Sequence, residues 1–348
     1  MTSAAHRLLA PLLSAASLAY SGIVRLRNRT YDRPSAVKRA SIPVISVGNL
    51  TVGGTGKTPL VAWLALRLHE LGRQPAIVSR GYGGRAGRGP LIVSDGSGPR
   101  SPVVDCGDEP YLLARSLSGT IVVVGSDRPA GAAAAAARGA DVVILDDGFQ
   151  HRRLFRDLDI VLLDGDAPFG NGRLLPGGPL REPLGALGRA DVVLVTRRAA
   201  GESLGEVEAA VRRHNPRAPI LRAGHRGVGF IEASGLAAAP PSRAAAFCGI
   251  GNPTRFRRDL EATGIEVVDF RTYRDHHRYT LADIASLERL AEAHGCDLIT
   301  TEKDLVRIGP GSFSKGGPSL LASRIEAVVH DAGPLTAAID RALGRSAR

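Results

Sequence analysis

Residues 48–59 read Gly-Asn-Leu-Thr-Val-Gly-Gly-Thr-Gly-Lys-Thr-Pro, directly after an apolar run and directly before a helix-like one. Such a loop is built for phosphate. Gly53, Gly54, Thr55 and Gly56 let backbone amides turn inward around phosphate oxygens, Lys57 reaches the terminal phosphates, and the Thr58 hydroxyl can hold Mg2+. Lysine is a marked choice in this chain, whose only others are Lys38, Lys303 and Lys315 against abundant arginine. The first glycine of the usual GxxxxGK[ST] pattern is Thr51 here. A plain Gly-rich strand-to-helix turn is the bland alternative, and the Gly-Lys-Thr ending weighs against it.

A second chemical feature is the acid pair Asp146-Asp147, which closes the apolar run 142–145 and precedes Gly148-Phe149-Gln150-His151. Acid at the carboxyl end of a buried parallel strand sits beside the ligand crevice, where it can hold Mg2+ directly or through water. An ordinary Asp-Asp-Gly turn is the alternative. His151 with Arg152 and Arg153 is either a phosphate-facing cluster or a solvated turn. Three polar, Gly-rich islands are candidate active-site loops: residues 79–84, 107–110, and 170–173 through 179–183. Farther on stand Arg274-Asp275-His276-His277 and Thr300-Thr301-Glu302-Lys303-Asp304. Adjacent histidines point in different directions on most backbones, so one of them partnering a carboxylate is favoured over a shared metal.

These residues need a scaffold that brings loops together. Apolar runs at 42–47, 76–78, 121–124, 142–145, 160–163 and 192–195 lack alternation, which predicts strands buried on both faces. Helix-like stretches lie between them, at 59–71 and at 129–138 with Asp127 as cap and Pro129 in the first turn. Alternating strand and helix predicts an α/β fold, a mostly parallel sheet with helices on both sides. The expected organisation is an N-terminal segment at 1–40, a phosphate-loop NTPase-like domain at 41–216, a short β linker at 217–242, and a smaller α/β domain at 243–348. The smaller domain is expected to hold strands at 244–250, 266–270 and 298–300 and helices at 254–263 and 282–294.

With 348 residues, 44% hydrophobic and 23% charged, the chain has enough material for two cored domains. Cys106, Cys248 and Cys296 are odd in number and widely spaced, the pattern of reduced thiols in a cytosolic compartment. The net charge of +11 fits nucleic acid, an anionic membrane or an anionic substrate. Nucleic acid is disfavoured, because basic residues would need stacking aromatics and only 4% of residues are aromatic. The apolar stretch 8–24 is shorter than the ~20 residues that span a bilayer. On a helical wheel Leu9, Leu12, Leu13, Ala16, Ala19, Tyr20 and Ile23 share one side, and Ser14, Ser17, Ser21 and Arg25 the other. Arg25, Arg27, Arg29, Arg33, Lys38 and Arg39 follow as the basic flank of a helix lying in anionic headgroups. Packing on the protein's own core and a cleaved signal peptide are the competing readings.

In this order, GNLTVGGTGKTP, SRGYGG, GDEP, DDGFQH, GNGRLLPGGPLREP, the Asp275-His276-His277 segment and TEKD resemble the tetraacyldisaccharide 4'-kinase family, the lipid A 4'-kinases of Gram-negative bacteria. The resemblance covers nearly the whole chain, and that family's loop also begins without the first glycine. It implies two α/β/α domains joined by a β linker, with ATP and substrate in the cleft. The N-terminal helix would dock peripherally on the cytoplasmic face of the inner membrane, with no obligate protein partner. The implied reaction is ATP-dependent phosphorylation of the 4'-hydroxyl of a tetraacyldisaccharide 1-phosphate. Carried over by motif, Lys57 and Thr58 hold ATP phosphates and Mg2+, and Asp146 and Asp147 match the acidic pair near the metal. Asp108 matches the acid that accepts the hydroxyl proton, with His276, or else His277, as its partner. Tyr82, Gln150 and Glu182 fall to the nucleotide, and Arg128, Arg181 and Asn171 to the substrate. The rival reading is a membrane-associated partitioning ATPase, whose loop carries an early lysine; none occurs here between Lys38 and Lys57.

Overall fold

The computed structural model of the protein describes residues 3–85, 87, 89–309, 311–314 and 316–344, with side chains described from residue 13 onward. Its first half contains the strands β1 (Val44–Asn49), β2 (Pro75–Ser79), β3 (Leu91–Asp95), β4 (Ile121–Val124), β5 (Val142–Asp146), β6 (Leu158–Asp164) and β7 (Val192–Thr196). All but β3 are the apolar runs read from the sequence, and all but β3 are mutually parallel. Their continuous apolarity has a direct cause. Ile45, Val47, Ile77, Ile144, Ile160 and Leu162 point to one face, against Leu60, Val61, Leu64 and Leu68 of α2 (Lys57–Glu70). The alternate residues Val44, Val78, Val143 and Leu145 point to the other, against Ala132 and Ala135 of a later helix. With both faces covered, strand positions do not alternate between water and core, and polar residues such as Ser46 and Asp159 sit there buried.

Ahead of α2 runs α1 (Ser3–Thr30), and behind it come α3 (Val103–Cys106), α4 (Asp108–Ser116), α5 (Arg128–Ala136) and α6 (Gly205–His214). The expected cap of α5 forms: the Asp127 carboxylate accepts from the Ala130 amide at 3.3 Å. The second half holds β8 (Ile220–Glu232), β9 (Ala237–Ala238), β10 (Arg243–Cys248), α7 (Pro253–Glu261), β11 (Glu266–Thr272), α8 (Leu281–His294), β12 (Asp297–Thr301), α9 (Glu302–Ile308), β13 (Leu320–Val329) and α10 (Gly333–Gly344).

The expected linker is a working strand. β8 pairs in parallel with β7 through Ile220–Arg222 and then antiparallel with β13 from Ala223 to Glu232. The two half-sheets therefore run on as one, in the order β11-β10-β12-β13-β8-β7-β6-β1-β5-β2-β4-β3. The last helix also departs from the expected division at 243–348. Leu335, Ala338, Ile339, Ala342 and Leu343 of α10 pack among Leu158, Ile160, Val192 and Leu194, in the core of the first half. Its apolar spacing is that of an ordinary amphipathic helix and carries no mark of which sheet it covers.

α1 is helical well past the apolar stretch, so Arg25, Arg27 and Arg29 lie on the helix itself. Its orientation keeps most of the expected wheel: Ala16, Ala19 and Ile23 are exposed on one side and Ser14, Ser17 and Ser21 half-buried on the other, while Leu13, Tyr20 and Arg25 change sides. Ser17, Tyr20, Ser21, Val24 and Asn28 form the face turned to the protein, whereas Leu18, Ile23 and Leu26 are 75%, 66% and 69% exposed. Ser17 has partners on the inner face: its Oγ donates to the Leu174 carbonyl and accepts from the Gly177 amide, at 2.9 and 3.0 Å. Tyr20 stays on the protein side while Ala16, Ala19 and Ile23 do not; Leu9 and Leu12 lie outside the described side chains. Among the described residues no helix is long and apolar enough to cross a membrane.

Because α10 completes the first core, Ile339→Ala, at a fully buried position, is expected to cost about 2–5 kcal/mol. Leu281→Ala on α8, at a position 83% exposed, is expected to stay within about 0.5 kcal/mol of wild type. Urea unfolding midpoints of the two variants check both.

Candidate active site

The carboxyl ends of β1, β2 and β5 open into a cleft of about 1570 Å³ that extends to the facing loops of the second half. The loop after β1 lies at its floor. It is tied from behind: the Val52 amide donates to the Pro179 carbonyl at 2.8 Å, and Arg197 Nη2 donates to the Gly54 carbonyl at 2.9 Å. Gly48 allows β1 to close on the segment after β5, since a Cβ there would lie 2.6 Å from Phe149 Cβ. Lys57, in the first turn of α2, donates to Asn49 Oδ1 at 3.1 Å and lies 3.5 Å from Asp147. Thr55 and Thr58 are buried beside it, and Thr55 Oγ1 has no hydrogen-bond partner among the described residues.

Asp146 and Asp147 leave the end of β5 in different environments. Asp146 is buried, accepts from Ser79 Oγ at 3.0 Å, and is pushed up to about 6 by burial and by the carboxylates of Glu109 and Asp147. Asp147 is held below the usual range: burial works against it, but Lys57 and Arg181 prevail, with Arg181 Nη1 2.6 Å away. Asp147 Oδ1 is buried without a hydrogen bond among the described residues and faces the Lys57 ammonium at 3.5 Å. A crowded carboxylate, a carboxylate oxygen free of hydrogen bonds and the Thr58 hydroxyl are the oxygen donors that suit a hard divalent cation.

Across the cleft, α4 begins with Asp108 and Glu109 turned toward the second half. Gly107, at φ +88°, makes this turn, and a Cβ on it would come within 2.6 Å of the Tyr82 carbonyl, so the islands at 79–84 and 107–110 pack directly together. Asp108 Oδ2 meets His276 Nδ1 at 3.1 Å and Arg307 Nε at 2.8 Å, and Glu109 pairs with Lys303. Burial alone would raise the Asp108 carboxyl; the His276 hydrogen bond and the Arg307 charge hold it far below its usual value. His277 goes elsewhere, stacked on Tyr273 with ring centroids 4.7 Å apart and paired with Asp283 at 3.1 Å. The two histidines thus diverge, and His276 is the one that reaches Asp108.

Other expected site residues divide. Gln150 lines the cleft and its Nε2 donates to the Asn49 carbonyl at 2.9 Å. Arg128 is almost fully buried with its Nε unpartnered, and burial brings its guanidinium down to about 10, with Asp146 and Asp147 opposing. Tyr82, 73% exposed, stands at the mouth with its ring centroid 6.0 Å from that of His276. Two others are held by contacts within the protein. Glu182 lines the cleft, buried, and accepts from Arg189 Nη2 at 3.0 Å and from Asn28 Nδ2 at 2.9 Å. Asn171 braces its own loop, donating to the Gly177 carbonyl at 2.9 Å and accepting from the Arg173 amide at 3.1 Å. Glu109 and Lys303 were singled out in the sequence only as members of their segments, without a role or a partner; Arg307, which shares a face of α9 with Lys303 four residues earlier, was missed altogether.

A model of the tetraacyldisaccharide-1-P 4'-kinase family matches residues 9–344. The chain belongs to that family. A tetraacyldisaccharide 4'-kinase of Syntrophus aciditrophicus is 49% identical over 320 residues, covering 86% of this chain and 84% of its own. Another, from Anaeromyxobacter dehalogenans, is 44% identical over 347 residues, covering 96% and 90%. Among solved structures, LpxK from Aquifex aeolicus in complex with ATP superimposes with a TM-score of 0.80 at 32% identity, over 96% of this chain and 99% of that one. The match runs through both halves of the sheet, so the 4'-kinase reading accounts for the second half, which the partitioning-ATPase reading does not.

The ionised state of Asp108 is tied to folding. Its folded pKa lies below the unfolded value of 3.8, so its stabilising contribution is complete above that pH and is lost as pH falls through the folded value. Asp108→Asn is expected to cost about 3 kcal/mol at pH 7, with the difference from wild type narrowing below about pH 4. Urea unfolding at both pH values measures it.

Proposed function

We propose that this cleft transfers the γ-phosphoryl group of ATP to the 4'-hydroxyl of a tetraacyldisaccharide 1-phosphate, the step that gives lipid A its second phosphate. The observation that carries the reading is the meeting, in one cleft, of a phosphate loop on the first half and an Asp–His pair made from both halves. The loop amides and Lys57 take the ATP phosphates, while Asn49 and Asp147 fix the lysine. Thr58, Asp146 and Asp147 would hold Mg2+, which when bound neutralises charge on the phosphates. Arg181 and Arg128 stand beside these carboxylates, where planar forks can bind phosphate oxygens of the substrates in two-point fashion. Asp108 and His276 face the acceptor hydroxyl and receive its proton. Phosphoryl transfer asks mainly for positioning and charge neutralisation, and this set supplies both.

The lipid substrate and α1 belong to the same reading. Leu18, Ile23 and Leu26 present an apolar stripe beside Arg25 and Arg29, a face suited to lying in an anionic membrane surface, the cytoplasmic leaflet of the inner membrane in this reading. Its inner face is fastened to the cleft: the Tyr20 hydroxyl donates to the Arg181 carbonyl at 3.1 Å, and Arg27 donates to the Gln150 carbonyl.

Incubation with radiolabelled ATP, Mg2+ and a tetraacyldisaccharide 1-phosphate in detergent is expected to label the lipid, with both Lys57→Ala and Asp108→Ala reduced at least about 100-fold. ATP hydrolysis without lipid labelling by the wild type would sink the reading. A Leu18→Asp/Leu26→Asp variant is expected to bind phosphatidylglycerol vesicles at least about tenfold more weakly, since each leucine loses its apolar burial; unchanged co-sedimentation would remove α1 from the membrane contact.

A further inference from the structure

The phosphate loop is held from outside by a residue in a backbone conformation that arginine seldom adopts. Arg197, the first residue after β7, has φ +60°. A residue with a Cβ is strained in that region and persists there only where its surroundings hold it. Here the surroundings are two strand ends knitted together. Gly165, just after β6, donates its amide to the Thr196 carbonyl at 3.0 Å, and a Cβ on it would lie 2.6 Å from that oxygen. Arg198 Nη2 donates to the Gly165 carbonyl at 2.6 Å. From this platform Arg197 turns back over the phosphate loop: Nη1 pairs with Asp164 at the end of β6, with Asp166 3.8 Å away, and Nη2 donates to the Gly54 carbonyl at 2.9 Å. The side chains of Arg197 and Asp164 are only 14% and 15% exposed.

What that contact does follows from peptide geometry. In a planar trans peptide the carbonyl and the next residue's amide point in opposite directions, so drawing the Gly54 carbonyl toward Arg197 turns the Thr55 N–H the other way, into the hollow of the loop. The hold is needed. Glycine at 53 and 54 leaves this peptide easy to rotate, and a carbonyl turned inward would set its negative end against phosphate. The amides of Gly53, Gly54, Thr55 and Gly56 make no hydrogen bond among the described residues, which leaves them as donors for an anion. Arg197 itself does not serve as a charge on the phosphates: two carboxylates face its guanidinium and both Nη groups are engaged. It also stands on the far side of the loop from the reaction, since β6 and β7 flank β1 on one side and β5, with Asp146 and Asp147 at its end, on the other.

We propose that Arg197 is a positioning residue of the reaction: anchored on Asp164, it holds the Gly54 carbonyl outward and so presents the Thr55 amide to the phosphate chain of ATP. The proposal rests on the reading of residues 48–59 as the ATP phosphate site and names what sets that loop's shape. A guanidinium suits the task because its planar fork engages a carboxylate and a carbonyl at once and at fixed angles, whereas an ammonium is a point charge on a flexible stem. The consequence is selective. Without the hold, the phosphate chain loses a correctly aimed donor, while the nucleoside and the lipid acceptor keep their contacts.

The test compares the full-length wild type with Arg197→Gly, Arg197→Lys and Asp164→Asn, in detergent with Mg2+. Three constants are measured: KM for ATP, KM for the lipid acceptor, and Ki for tripolyphosphate, which has the phosphate chain and no nucleoside. Glycine is at ease at φ +60°, so Arg197→Gly removes the fork without adding backbone strain. In that variant KM for ATP and Ki for tripolyphosphate are expected to rise together by about 10-fold, with the lipid KM within about twofold of wild type. Arg197→Lys should recover part of the loss, leaving both constants raised by about threefold. Asp164→Asn, which keeps an oxygen for Arg197 but not its charge, should raise the same two by about threefold. Unmoved ATP and tripolyphosphate constants in Arg197→Gly overturn the proposal. So does a rise for ATP alone, which would make Arg197 a nucleoside contact, or an equal rise for ATP and lipid, which would make its role merely structural. Unmoved constants in Asp164→Asn overturn it even if Arg197→Gly fails to fold. A wild type that tripolyphosphate does not inhibit competitively with ATP would instead overturn the phosphate-site reading beneath it.

Discussion

One strand belongs to both halves of the molecule, and the geometry of the cleft depends on it. β8 completes the first sheet beside β7 and, without a break, opens the second beside β13. A backbone ladder fixes relative position far more tightly than a flexible tether, because partners recur along its length, and between β8 and β13 the register breaks only at Val228. Asp108 and His276, from opposite walls, can thus be held at hydrogen-bond distance although they are 168 positions apart in sequence. α10 reinforces the arrangement by leaving β13 and returning to the first core.

Within that frame the site is an arrangement of opposed charges. Asp146, Asp147 and Glu109 crowd together, and Lys57, Arg181 and Lys303 answer them from three different elements. The compensation is uneven, which leaves Asp146 reluctant to ionise and Asp147 firmly ionised although the two are adjacent in sequence. Burial and Lys57 act on both; the difference lies in the Glu109 and Asp147 carboxylates that crowd Asp146 and in Arg181, which pairs with Asp147. Attraction across the cleft, between α4 and α9, adds an electrostatic seam to the hydrogen-bonded one of β8 and β13.

Most of this was legible in the sequence where local rules dominate. Strands buried on both faces announce themselves by unbroken apolarity, the phosphate loop by its glycines and rare lysine, and the α5 start by Asp127 and Pro129. β3 was missed because a short antiparallel edge strand containing Ser94 and Asp95 has no such signature. The two sides of α1 were legible, but what the serine side meets was not, because hydropathy cannot tell a serine facing water from one facing a loop carbonyl; Ser17 is the second kind. Glu182 and Asn171 entered only through the family motif, and their contacts with Arg189, Asn28 and the loop backbone appear only in the fold. Arg307 is one arginine among many in the sequence, and nothing local distinguishes it.

The fastening of α1 has a mechanical consequence. From Ser17 to Asn28 the helix is bonded to the loop that carries Arg181 and to the segment that carries Gln150, a length of about 17 Å at 1.5 Å per residue. With its outer stripe laid on lipid, as proposed, the helix serves as a gauge: the depth at which Leu18, Ile23 and Leu26 settle sets how high the phosphate loop stands above the headgroups. A sugar rooted in the bilayer by its acyl chains is presented at one height only. On that proposed footing the enzyme would select its acceptor partly by altitude, and a soluble sugar phosphate of the same chemistry would arrive without that vertical registration.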